Sequence, residues 1–195
     1  MPRFSDSFLR RLLSRVALAI GLCLMLVSYA AAPERIEVAQ VSLDPYEDGW
    51  AVNAQFNLAL KARLEEALER GLPLYFVVEF ELTRPRWYWF NEKTANASLT
   101  YRLSYHALTR EYRLSTGSLQ LGFSSLADAI GVMTRIRDWK VLDQNAIEAG
   151  ETYIAAIRMR FDTSQLPKPF QLNALTSRDW TLESDWKRFS FEVSR

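Results

Sequence analysis

Long stretches of strict apolar/polar alternation, two short segments of helical period, and Gly/Pro punctuation between them make this chain an α+β protein. Its expected body is a mainly antiparallel β-sandwich or strongly curved sheet with two amphipathic helices. The alternation begins around Ile36 to Leu43 and returns in Trp50, Val52, Ala54, Phe56 and Leu58, set against Asn53, Gln55 and Asn57. Between the two lies Tyr46-Glu47-Asp48-Gly49, whose Asp-Gly signal predicts an antiparallel hairpin.

A helix is expected next. Leu60, Leu64, Ala67 and Leu68 recur at helical spacing, with Asn57 as N-cap and Gly71 followed by Pro73 as the stop. Leu74, Phe76, Val78, Phe80 and Leu82 then share one face of a strand, and Tyr75, Glu79, Glu81 and Thr83 share the other. Leu99, Tyr101, Leu103 and Tyr105 form a further strand, which Tyr112 and Leu114 return as a second hairpin. The second helix runs from about Ser125 to Arg137, with Ser125 and Asp128 resembling a capping box and Leu126, Ile130, Met133 and Ile136 as its stripe. Tyr153 to Phe161 alternates again. Leu166-Pro167-Lys168-Pro169 predicts an extended, irregular passage, and Phe189, Phe191 and Val193 mark a last strand.

The N-terminus reads as an export signal. Arg3, Arg10, Arg11 and Arg15 precede an apolar run from Val16 to Val27, and Ser28-Tyr29-Ala30 supplies small residues for a peptidase. The run is shorter than the roughly 20 residues a bilayer span requires. Residues 1–32 are therefore expected to be a signal peptide, with an uncleaved membrane anchor as the alternative, and 33–195 a single β-rich domain in the periplasm or facing it from the inner membrane. Cys23, the single cysteine, lies inside the leader, so the mature domain would have no disulfide, thiolate metal site or cysteine nucleophile. Losing the leader removes four of the 24 Lys and Arg and one of the 23 Asp and Glu, a balance of −2 that gives no reason to expect nucleic acid.

No residue set suggests a cofactor or metal. His106 is the sole histidine, and one imidazole cannot build a two-histidine metal centre. It enters the turn Ala107-Leu108-Thr109, where a polar hairpin role is expected. Glu79 and Glu81, two apart on one strand face, stand roughly 6.5 to 7 Å apart. That separation suits an inverting glycan hydrolase, while Arg102, Arg113, Arg158 and Arg160 on other polar strand faces could simply pair with them. In Arg84-Pro85-Arg86-Trp87-Tyr88-Trp89-Phe90, extension would put Trp87 and Trp89 on one face, available to a glycan, a lipid or a protein, or covered in the core. The candidate binding residues are thus Trp87, Trp89, Arg86, Glu79 and Glu81, with no catalytic residue assigned.

The blocks Gly71-Leu72-Pro73-Leu74-Tyr75-Phe76, Arg84-Pro85-Arg86-Trp87-Tyr88-Trp89, Leu103-Ser104-Tyr105-His106-Ala107-Leu108 and Leu166-Pro167-Lys168-Pro169-Phe170 resemble an uncharacterised family of exported bacterial proteins, domain of unknown function family 4390. The resemblance implies a Gram-negative source and an envelope location, and assigns no activity. It also implies genes placed near a two-component sensor kinase. Three functional expectations follow: a non-enzymatic binding or interaction domain with a protein, glycan or lipid partner in the envelope; a glycan hydrolase using Glu79 and Glu81; or an accessory domain of a membrane sensor kinase.

Overall fold

A computed structural model describes residues 35–85 and 92–192. The export signal, Arg86, Trp87 and Trp89 lie outside the described residues. Among the described residues nine strands form two antiparallel sheets: β1 (Glu37–Tyr46), β2 (Gly49–Asn57) and β7 (Arg135–Asp143) in one, and six strands in the other. The larger sheet runs in the order β6 (Leu119–Phe123), β5 (Glu111–Thr116), β4 (Glu92–His106), β3 (Leu74–Arg84), β8 (Thr152–Phe161), β9 (Lys187–Glu192). Among the described residues three helices accompany them: α1 (Ala62–Glu69), α2 (Leu126–Met133) and α3 (Lys168–Thr176). Among the described residues no helix is long and apolar enough to cross a membrane.

The sheets are not strongly curled, and two separate sheets replace the single curved one among the expectations. Both supply one core. Leu74, Phe76, Val78, Phe80 and Leu82 of β3 are all buried, as their alternation predicts, beside Val52 and Phe56 of β2 and Ala155, Ile157 and Met159 of β8. Trp50 meets Phe191 edge to face, with ring centroids 4.9 Å apart.

The first hairpin forms in the expected place, but its glycine has another reason. Tyr46 pairs with Gly49, so Glu47 and Asp48 make the turn and Glu47 takes the positive φ of 47°. A Cβ on Gly49 would collide with the Leu142 carbonyl oxygen of β7. A close backbone approach selects the glycine.

Several expectations need correction. Asn57 ends β2 opposite Glu37, and α1 starts later, with Lys61 at its N-cap. Gly71, at φ 88°, does terminate it as expected. The second helix stops at Met133, and residues from Arg135 onward form β7. Two register shifts in the β2–β7 ladder each add a residue to β7, and Asp138 at φ 50° sits in the one between Val52 and Ala54. Inward residues Ile136, Trp139 and Leu142 are therefore three apart, a spacing that imitates a helix.

Leu166 is extended, as expected, at φ −72° and ψ 152°, but Lys168 and Pro169 open a helix instead of prolonging the irregular passage. The Pro167 carbonyl accepts from the amides of Phe170 and Gln171 at 2.9 and 3.2 Å, opening α3. Proline fits the first turn, where amides have no intrahelical acceptor. Strand β6, unforeseen, returns β5 through Gly117-Ser118, with Gly117 at φ 54°. At α2 the capping expectation holds in altered form: Ser125 Oγ accepts from the Asp128 amide at 3.1 Å and donates to the Asp128 carboxylate at 2.6 Å.

Candidate functional site

The outer face of the six-stranded sheet carries the sequence-predicted carboxylates. Antiparallel register sets Glu79 of β3 opposite Ser98 of β4 and Arg158 of β8, and Glu81 opposite Asn96 and Ala156. Alternation leaves all of these on one side of the sheet. After α3 the chain runs back along β8: Leu182 O accepts from the Phe161 amide at 2.7 Å, and Ser184 exchanges bonds with Met159, its Oγ accepting at 3.0 Å. That run delivers Trp186 to the same face, where the Arg158 guanidinium lies 4.6 Å from its ring centroid.

Together Glu79, Glu81, Asn96, Ser98, Arg158 and Trp186 line a groove of about 300 Å³. Glu79 is gripped from two sides. Arg158 Nε donates to one of its oxygens and Arg160 Nε to the other at 3.0 Å, while Arg160 also donates to Asp162 at 3.2 Å. Desolvation opposes the charge on Glu79, but the bonds and charges of Arg160 and Arg158 outweigh it and hold its carboxyl below the usual range. Asp162 is held low in the same way: partial burial opposes the charge, and hydrogen bonds from Ser164 and Arg160 prevail. An ionised Glu79 has no proton to give at neutral pH, which removes it from the role of general acid.

Of the four arginines named from sequence, Arg158 and Arg160 pair with Glu79, and Arg113 stands 3.6 Å from Glu111 instead. His106 occupies the expected hairpin position, its Nδ1 accepting from the Thr109 amide at 3.3 Å. Trp186 belongs to one of three Asp-Trp dipeptides in the chain, Asp138-Trp139, Asp179-Trp180 and Asp185-Trp186. Its partners split by environment: Trp180 is buried, Trp139 packs partly covered on the core, and Trp186 stays half-buried at the groove.

A second polar patch lies on the outer face of the smaller sheet. Asn53 Oδ1 accepts from the bulged Asp138 amide at 3.0 Å, its amide donates to Asp44 at 2.9 Å, and Ser42 donates to Asp44 at 2.6 Å. This network satisfies the bulge, a structural task.

No curated protein and no solved structure matches the chain. A family model described as Domain of unknown function (DUF4390) matches residues 33–190, which is most of the chain and includes every residue of the groove. The chain belongs to the DUF4390 family of domains of unknown function.

Proposed function

We propose that this protein is exported to the bacterial cell envelope and works there as a non-enzymatic binding domain, with the groove beside Trp186 receiving a glycan. The two sheets, which share one core, are read as the layers of a sandwich, leaving the outer face of the larger sheet for the ligand. One observation carries the proposal: an aromatic ring backed by a guanidinium stands next to Asn96, Ser98 and Glu81 in one groove. A planar hydrophobic surface flanked by amide, hydroxyl and carboxylate groups matches a sugar, which offers an apolar ring face and hydroxyls at its edge. Glu79 shapes this surface by fixing Arg158 over Trp186.

Titration of a soluble wall-glycan preparation, followed by tryptophan fluorescence, tests the reading. Wild type is expected to bind saturably without releasing new reducing ends, and Trp186→Ala to bind about tenfold more weakly or worse. Equal binding by wild type and W186A, or no binding by either, refutes the groove. Release of reducing ends that stops in a Glu79→Gln, Glu81→Gln double variant would instead establish a hydrolase.

A further inference from the structure

Among the described residues the two sheets leave four edge strands: β1 and β7 in the smaller, β6 and β9 in the larger. Three carry the charges, proline or bulges that discourage pairing with another chain. β1 has Glu37, Asp44 and Pro45, β7 has Arg135, Arg137, Asp138 and Lys140 with two bulges, and β9 has Lys187, Arg188 and Glu192. β6 reads Leu-Gln-Leu-Gly-Phe, with no charge and no proline. Its inward side chains are also uncovered, Leu119 at 55% and Leu121 at 38% exposure.

Below that edge the space between the sheets is open. Leu119, Leu121, Leu99 and Tyr101 face Val132 of α2 and Trp139 of β7 across a cleft of about 340 Å³. Val132 is 42% exposed, so α2 does not close it. Arg135 and Arg137 line the same cleft. Among the described residues neither has a carboxylate partner; Arg135 Nε donates to Gln55 at 3.3 Å.

We infer that β6 is a docking edge on which an extended segment of a partner protein adds as a seventh strand, its alternate apolar side chains entering the cleft and a carboxylate meeting Arg135 and Arg137. Ladder hydrogen bonds supply affinity in this mode and the alternate side chains supply specificity. Charge selects the occupant. A second copy would bring the same uncharged Leu119–Phe123 segment and no carboxylate for the two arginines, whereas an acidic, alternating segment satisfies edge, cleft and charge together. The site shares no residue with the glycan groove, so the two proposals stand or fall separately.

The test uses the full chain and synthetic peptides about seven residues long, alternating valine with threonine and ending in glutamates, lysines or neutral residues. Fluorescence anisotropy is expected to show saturable binding of the acidic peptide, about tenfold tighter than the basic one. N-methylation of its backbone at alternate positions is expected to abolish binding. Leu119→Lys is expected to weaken it about tenfold, and Arg137→Glu to reverse the preference for acidic over basic ends. Absence of saturable binding, equal binding of the N-methylated peptide, or an unchanged preference in R137E overturns the inference. So does a wild-type dimer in sedimentation that L119K dissociates, since the occupant is then a second copy. Should L119K fail to fold, N-methylation and R137E, at an exposed position, still decide.

Discussion

Replacing Glu79 by Gln removes one charge while keeping the shape of the side chain, and the surrounding geometry sets the expected cost. Two guanidinium bonds end on this carboxylate, and a hydrogen bond to a charged group contributes about 1.5 to 3 kcal/mol. The side chains of Glu79, Arg158 and Arg160 are 23%, 28% and 29% exposed, so solvent screens part of that. The amide oxygen keeps one acceptor, and Asp162 still neutralises Arg160. A net loss of about 1 to 3 kcal/mol remains. For a domain of this size it lowers Tm by roughly 2 to 4 °C per kcal/mol. Because the folded carboxyl titrates below its unfolded value, its stabilisation is complete above about pH 4.3, the unfolded pKa, and disappears as pH falls through the lower folded value. Thermal melts by circular dichroism at pH 7 and at pH 3 should therefore show a wide gap between wild type and E79Q that narrows in acid. A shift under about 1 °C at pH 7, or a gap of equal width at both pH values, refutes the two-arginine clamp.

Gly49→Ala should cost about 1 to 3 kcal/mol, the usual range for overpacking, because the new methyl meets the backbone carbonyl of Leu142 and β7 must shift to admit it. Urea denaturation measures this as a lower midpoint at unchanged slope. Ser125→Ala should lose about 1 kcal/mol as the α2 cap disappears, with faster hydrogen exchange at the Asp128 amide as its local signature.

Period-2 alternation makes a strand legible when its ladder is regular. β3 and β8 each bury every second residue along most of their length, and the alternation alone places both within a residue or so. β7 is illegible for the converse reason: two extra residues stretch its inward spacing from two to three, and its first apolar residue continues the stripe of the helix before it. β6 offers only Leu119, Leu121 and Phe123, too short a run to stand out. α3 was hidden because prolines stop a helix in its interior yet suit its first turn, and spacing alone does not separate the two. Glu79 and Glu81 were legible as neighbours on one wet face. Trp186 was not, because a non-periodic segment carries it to the groove.

Why two glutamates on the same strand face have different surroundings follows from register. β8 places Arg158 directly beside Glu79 and Arg160 one pair further along, so their guanidiniums converge on that carboxylate; beside Glu81 it places Ala156, whose methyl brings no charge. Inverting hydrolysis requires one carboxyl kept protonated and one ionised. Here the ladder ionises the member nearer the arginines, so an acid would have to be Glu81, next to the exposed Asn96 and Ser98. The same register that makes Glu79 an anchor for Arg158 therefore bars it from the acid's half of such a dyad, and a hydrolytic reading has to give Glu79 the base's part and Glu81 the acid's.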